Sequence, residues 1–304
     1  GITSILISHK LNEVAYCADR ITILRDGSTV ETLDKNKDDV TEERIIRSMV
    51  GREMTERYPP RPNTIRSEVA LEVRDWTVYH EIYTERKVVD RVSFKLHRGE
   101  VAGIYGLMGS GRTELALSIF GRAYGTKISG TLIKDGQVLE LHSVPDAIAA
   151  GLTYVTEDRK DSGLILGNSI MHNITLPRME FVAQRGRIDR DLERQTANHY
   201  REALGIKAPS VEQYVGNLSG GNQQKVLLAK WIYSKPDILL LDEPTRGVDV
   251  GAKYEIYQII NDLAKQGKAI LFISSELPEI LGMCDRIYVM DSGRIIAEFP
   301  QSEA

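Results

Sequence analysis

Gly106-Leu107-Met108-Gly109-Ser110-Gly111-Arg112-Thr113 follows an apolar run, Val101 to Tyr105, and opens a helical one, Arg112 to Gly121. That order of strand, glycine-rich turn and helix decides the fold class. Glycines tolerate positive φ and let the backbone turn its N–H groups inward as an anion nest, to which the helix adds its positive end. The stretch is one residue away from the phosphate-binding pattern G-x-x-x-x-G-K-[ST]. Arg112 stands where lysine belongs, a broad fork in place of a compact point charge. Thr113 supplies a hydroxyl suited to Mg²⁺ beside the β- and γ-phosphates. Taken alone, the near-match also fits a tight turn with no ligand.

Two further stretches strengthen it. Pro236 to Thr245 is an apolar strand that ends in two carboxylates. Asp242 is placed to hold Mg²⁺, directly or through water, and Glu243 is the candidate general base for an attacking water. Two adjacent acids could equally form a solvated corner. Between these segments, Leu218-Ser219-Gly220-Gly221-Asn222-Gln223-Gln224-Lys225 precedes the helical run Val226 to Ile232. Ser219 reads as the cap of that helix, whose first amides, beside Gly220 and Gly221, can approach a γ-phosphate closely.

Around these motifs the chain alternates. Val69–Val73, Val88–Leu96 and Val101–Tyr105 read as strands, and Ser129–Leu141 as a hairpin about Asp135-Gly136. Helical signals dominate from Ile188 to Ser234; strand, helix and strand follow at Ile238–Leu241, Lys253–Gln266 and Ala269–Ile273. This predicts an α/β fold with a parallel core sheet, a small antiparallel β subdomain and a helical insertion at about 165–235.

Composition narrows the function. The 304 residues are 42% hydrophobic and 27% charged, which suits a folded core and excludes disorder as the dominant state. Lys and Arg number 39 against 43 Asp and Glu, a net charge of −4 that does not ask for nucleic acid. Two cysteines, Cys17 and Cys284, make no disulfide framework and point to a reducing compartment. The apolar runs are strand-length, far short of the roughly 20 residues a membrane helix needs.

The chain also repeats itself. Ile7-Ser8-His9-Lys10-Leu11-Asn12-Glu13-Val14 resembles Ile273-Ser274-Ser275-Glu276-Leu277-Pro278-Glu279-Ile280, a constant offset of 266 positions from 7 to 273. Asp19-Arg20-Ile21 and Gly27 answer Asp285-Arg286-Ile287 and Gly293 at the same offset. Residues 1–50 are accordingly expected to be the tail of one unit and 69–304 a whole second copy. The linker between them, 51–68, carries Tyr58-Pro59-Pro60-Arg61-Pro62 and should be semi-extended. Strands are expected at Ile2–Ile7 and Arg20–Leu24, belonging to a sheet whose other strands lie outside residues 1–50.

Leu-Ser-Gly-Gly-x-Gln between the glycine loop and the Asp-Glu strand resembles the signature of ATP-binding cassette (ABC) ATPases. Gly-Asn-Gln-Gln-Lys, Glu157-Asp158-Arg159-Lys160 and Gly247-Val248-Asp249-Val250-Gly251-Ala252-Lys253 resemble one subgroup, the double-cassette ATPases of monosaccharide importers of the ribose, galactose and xylose type. The resemblance implies a P-loop NTPase fold, ATP and Mg²⁺ as cofactors, and ATP hydrolysis coupled to transport. It implies membrane permease subunits, the other cassette of the same polypeptide and, indirectly, a periplasmic or extracellular sugar-binding protein as partners. The place implied is the cytoplasmic face of the membrane, peripheral, with no nucleic acid bound. A nucleoside importer or a soluble, non-transport ABC switch protein is the alternative.

Individual roles follow from the same resemblance. Glu157 takes the place of a glutamine that touches Mg²⁺ and senses the membrane subunit. Tyr79, 27 residues before Gly106, is the choice for stacking on adenine, with Tyr83 and Trp76 as rivals. Asp249 matches the loop that spans paired cassettes. The γ-phosphate-sensing histidine is present in the first-unit tail as His9, whereas Ser275 holds its place in the second unit. Since ABC ATPases pair head-to-tail, the Ser219–Gln223 signature would complete the other cassette's site. The local site, with Arg112, Glu157 and Ser275, would be degenerate.

Overall fold

Hydrophobic periodicity switches repeatedly between two and 3.6 residues, and the elements follow it. A computed structural model describes residues 2–8, 11–25, 27–50 and 57–303. The first elements are α1 (Leu11–Cys17), β1 (Arg20–Arg25), β2 (Ser28–Asp34) and α2 (Glu42–Val50). Then come β3 (Val69–Tyr79), β4 (Lys87–His97), β5 (Val101–Tyr105), α3 (Arg112–Ile119), β6 (Thr126–Lys134), β7 (Gln137–Val138), α4 (Val144–Ala149) and β8 (Leu152–Val155). A mainly helical stretch holds α5 (Ile170–Thr175), β9 (Ala183–Gln184), β10 (Arg187–Ile188), α6 (Arg190–Ala203) and α7 (Gly220–Tyr233). The chain closes with β11 (Ile238–Asp242), α8 (Val250–Lys265), β12 (Ala269–Ser274), α9 (Leu277–Met283), β13 (Arg286–Asp291) and β14 (Arg294–Pro300).

The central sheet runs β14-β13-β5-β12-β11-β8, parallel throughout except for β14. Its inner strands are nearly all apolar and buried along their length, because parallel strands are covered on both faces. Leu239, Leu241, Ile270 and Phe272 face one core, shared with Leu227, Ile256 and Ile260 of α7 and α8. Ile238, Leu240, Leu271 and Ile273 face the other, shared with Leu115 and Ile119 of α3. The antiparallel sheet β4-β3-β6-β7 covers that second core with Leu71, Val78 and Phe94. Its turn at Asp135-Gly136 takes φ of 49° and 80°, as the Asp-Gly pair anticipates. Among the described residues no helix is long and apolar enough to cross a membrane.

The internal repeat extends to geometry. Moved by 266 positions, the bounds of α1, β1 and β2 coincide with those of α9, β13 and β14. The hairpins even carry their irregularity at matching places, Ile23/Leu24 and Val289/Met290. One expectation is corrected: residues 2–8 form no strand, and Ile2, Ile5 and Ile7 are 96%, 90% and 94% exposed. Their counterpart, β12, is held between β5 and β11, and the described residues before 51 offer no such neighbours. The small cluster Ile21, Ile23, Leu33, Ile45 and Ile46 instead packs against Val250 of α8.

Proline keeps residues 57–66 largely out of regular structure, yet they are fastened down. The Tyr58 ring lies 5.4 Å from that of Tyr257, and a Cβ on Gly282 would fall 2.4 Å from Tyr58. Arg61 clasps Asp285 with both ends of its fork, Nε at 2.7 Å from Oδ1 and Nη2 on Oδ2. Asp285 also accepts the Val101 N–H at 2.8 Å, so the clasp reaches the first residue of β5. The two side chains are only 11% and 12% exposed. Removing one partner of a buried pair strands the other charge. We therefore expect Arg61→Ala to lower unfolding free energy by about 3 kcal/mol in urea titrations. A change within about 0.5 kcal/mol would mean that the strap merely rests on the surface.

Candidate functional site

Strand register brings the motifs together. Tyr105 lies opposite Ser274 and Ile273 opposite Asp242, so Gly106, Ser275 and Glu243 leave three adjacent strands at one carboxyl edge. Open parallel sheets bind ligands at that edge. Gly106 has no room for a side chain, since a Cβ would meet the Met290 carbonyl at 2.4 Å. Gly111 caps α3 in the left-handed region with φ of 97°, where a Cβ would meet the Val88 carbonyl at 2.4 Å. No side chain caps α3, so its first amides are available to an anion. Leu107 and Met108 are 73% and 82% exposed, so neither packs into the loop. Gly109 is open above, and the buried Ser110 Oγ has no hydrogen-bond partner among the described residues.

Asp242 is buried at the end of β11. Its Oδ2 accepts the Tyr154 hydroxyl at 2.8 Å, while Oδ1 is buried without a partner among the described residues. Burial pushes its carboxyl up, and the Thr113, Tyr154 and Arg112 side chains pull back. Tyr154 itself is pushed up by burial and by the Asp242 charge. Sequence reading gave Tyr154 no role; the signal was a phenol hydroxyl in the short buried strand β8, in register beside Leu240. A buried carboxylate with one oxygen lacking a partner among the described residues, together with the Thr113 side chain that acts on the same carboxyl, is the donor set a hard cation takes. Asp242 and Thr113 thus fit Mg²⁺, and the loop fits the phosphates of ATP.

Glu243 sits in the left-handed region with φ of 46°, a strained conformation of the kind found at functional sites. Its Oε1 accepts the Ser275 N–H at 2.7 Å and lies 3.5 Å from Arg112 Nη1. Burial pushes its carboxyl pKa up, against the pull of Ser275 and Arg112. Arg112 is buried too. The guanidinium in lysine's place is therefore paired with the candidate base. Oε1 of Glu243 is thus engaged on two sides, by the Ser275 N–H and by the guanidinium.

The signature stands elsewhere. Ser219 occupies the cap position of α7, but its Oγ accepts Asn222 Nδ2 at 2.9 Å and no backbone N–H. Ser219 thus takes the expected cap position, with its hydroxyl on Asn222 and not on the helix amides. Ser219 is exposed, Gly220 half-buried, and Gly221 lies so close to α8 that a Cβ would meet Ala252 Cβ at 2.5 Å. Gln223 is buried and donates to the Val215 carbonyl at 3.3 Å; Leu218, half-buried, packs against the core shared with α8.

Other expected site residues are placed as follows. Glu157 is ion-paired with Arg246. Asp249 is exposed and caps α8, Oδ1 accepting the Ala252 N–H at 3.0 Å. Trp76 is withdrawn from adenine stacking, being 3% exposed with Nε1 donating to Ser118 Oγ at 2.9 Å. Tyr79, at the end of β3, is half-buried with the Lys127 and Lys87 ammonium groups 5.4 and 6.0 Å from its ring centre. Tyr83 is 65% exposed beside His80. Ser275 is exposed; His9 lies outside the described residues.

Residues 89–246 match the family described as ABC transporter. The L-arabinose transport ATP-binding protein AraG of Geobacillus stearothermophilus is 60% identical over all of this chain and 59% of its own length. The xylose import ATP-binding protein XylG of Thermoanaerobacter pseudethanolicus is 50% identical, and the ribose import ATP-binding protein RbsA of Bacillus licheniformis 45%, each with 59% of its length covered. The chain thus spans about three fifths of these curated relatives. Among solved structures, a nucleotide-free ATP-binding cassette from an ABC transporter superposes with a TM-score of 0.66 at 22% identity, over 76% of this chain and 91% of that one. A dimeric cassette bound to ADP and Pi gives 0.66 at 21%, over 76% and 98%. The fold is the ABC cassette form of the P-loop NTPase fold.

Asp242 supplies a pH test. A carboxyl raised in the folded state stabilises fully below its unfolded value and loses that contribution as pH rises through the folded one. The charged form therefore opposes folding at pH 7 and not near pH 4. We expect Asp242→Asn, which keeps an acceptor for Tyr154, to raise the melting temperature at pH 7 by roughly 2–4 °C. The gain should vanish near pH 4 in thermal melts, and Mg²⁺-dependent nucleotide binding should be lost. A gain independent of pH would assign it to packing.

Proposed function

The chain belongs to the ABC transporter family, and on that premise we propose that it is the second cassette, with the tail of a first, of an ATP-hydrolysing subunit that drives monosaccharide uptake through a membrane ABC importer. In this reading residues 1–50 end the first cassette, 51–68 link it to the second, and 69–304 form the second. The whole protein would lie on the cytoplasmic face of the membrane against permease subunits that receive sugar from a binding protein. The arabinose, xylose and ribose names of the relatives support a pentose as the solute.

One contrast carries the reading. The local base Glu243 is engaged by Arg112 and Ser275, while the signature Ser219 is exposed at the open end of α7. The local site would hold nucleotide in the Gly106–Thr113 loop, with Tyr79 at the base and Asp242, Thr113 and Glu157 toward Mg²⁺. When bound, Mg²⁺ would neutralise charge on the β- and γ-phosphates. With Oε1 of Glu243 engaged by Arg112 and the Ser275 N–H, this site would retain nucleotide rather than turn it over. Ser219–Gln223 would complete the site of the other cassette, to which His9 contributes, and turnover would reside there.

Reconstitution of the full-length protein with its permease and binding protein, measuring uptake of labelled pentoses, tests the whole reading. Uptake of nucleosides but not pentoses, or ATPase activity indifferent to the permease, would overturn it. The asymmetry is tested separately by steady-state ATPase of full-length variants. Ser219→Arg should remove more than about tenfold of turnover, since it disrupts the competent site, and Glu243→Gln far less. A larger loss from Glu243→Gln would sink the asymmetric assignment.

A further inference from the structure

Within Glu157-Asp158-Arg159-Lys160 the nucleotide reading gives the Arg159 side chain no task. Asp158 Oδ1 accepts the Lys160 and Asp161 N–H groups at 3.0 and 3.1 Å, which fixes the irregular turn Arg159–Gly163. From that turn the Arg159 guanidinium reaches two other motifs. Its Nη1 donates to the Arg246 carbonyl at 2.9 Å and its Nη2 to the Gly247 carbonyl at 3.3 Å. Its Nε points to Gln223 Oε1 at 3.4 Å, in the signature. A Cβ on Gly220 would fall 2.8 Å from Nη2, so the first signature glycine makes room for this guanidinium. Two residues upstream, Glu157 pairs with the side chain of the same Arg246.

The loop after β8, the start of α7 and the turn leading to Asp249 therefore meet on one planar fork. Two of its three acceptors are backbone carbonyls, which follow the main chain wherever it goes. A guanidinium serves such divergent acceptors at once, whereas an ammonium group presents a single point.

We propose that Arg159 is a positioning residue that sets the signature, Ser219–Gln223, relative to the Glu157 loop and the turn before Asp249. Displacement of the Glu157 loop then moves the signature, and with it the completeness of the nucleotide site that the signature serves. This rests on the reading of that signature as one donated to the other cassette.

The test uses full-length protein reconstituted with its permease, carrying Arg159→Ala or Arg159→Lys. Steady-state kcat and KM, the ratio of ATPase activity with and without permease, fluorescent-nucleotide affinity and melting temperature are measured. Arg159→Ala should lower the permease-stimulated kcat about tenfold with KM within about twofold, and shrink the stimulation ratio. Arg159→Lys should recover only part of it. Nucleotide affinity and melting temperature should barely move. An unchanged stimulation ratio, or parallel losses of affinity, kcat and melting temperature, would overturn the assignment. If Arg159→Ala folds poorly, Arg159→Gln, which keeps one donor, is read the same way. Ser219→Arg is the control: if it leaves turnover intact, the donated-signature reading has failed, whereas its loss beside a silent Arg159→Ala sinks only this inference.

Discussion

Ser274 opposite Tyr105 and Asp242 opposite Ile273 are the register contacts on which the chemistry depends. A slip of one residue would turn every side chain of β12 to the other face, taking Phe272 out of one core and Leu271 out of the other. It would also separate the Ser275 N–H from Glu243. Core packing and site assembly are thus one constraint: the buried apolar residues that lock the register are the reason three loops end within reach of each other.

Much of this was legible because it is local. Val101–Tyr105 ends where hydrophobicity gives way to glycine, and Asp135-Gly136 turns where Asp-Gly should. The repeat was legible too, and its helix and hairpin keep the same bounds in both copies, since helix and hairpin hydrogen bonds are made within the segment itself. The strand expected at Ile2–Ile7 failed for the complementary reason. Its counterpart β12 owes its conformation to β5 and β11, partners from far along the chain. Apolar alternation signals that a strand is wanted, while only neighbours supply the hydrogen bonds.

The site was legible as a set of motifs and not as a set of contacts. Glu243, Asp242 and the glycine loop were found by spacing. The pairing of Arg112 with Glu243, the hydroxyl of Tyr154 on Asp242, and the capture of Ser219 by Asn222 depend on rotamers and distances that no spacing encodes. Asp249 shows how one residue holds two readings, since the carboxylate that caps α8 is also exposed at the start of that helix.

The Arg112 substitution gains its meaning from burial. At a surface, a cation 3.5 Å from a carboxylate would matter little. Here both groups lie in the interior, and each needs the other to offset desolvation. A lysine in the loop could extend its ammonium toward phosphate and leave Glu243 free. The wider guanidinium instead rests against the base, and an incoming γ-phosphate must compete with Glu243 for it. The exposed Ser219 at the start of α7, by contrast, is free of any such internal carboxylate among the described residues, and Arg159 ties the same helix start to the turn before Asp249.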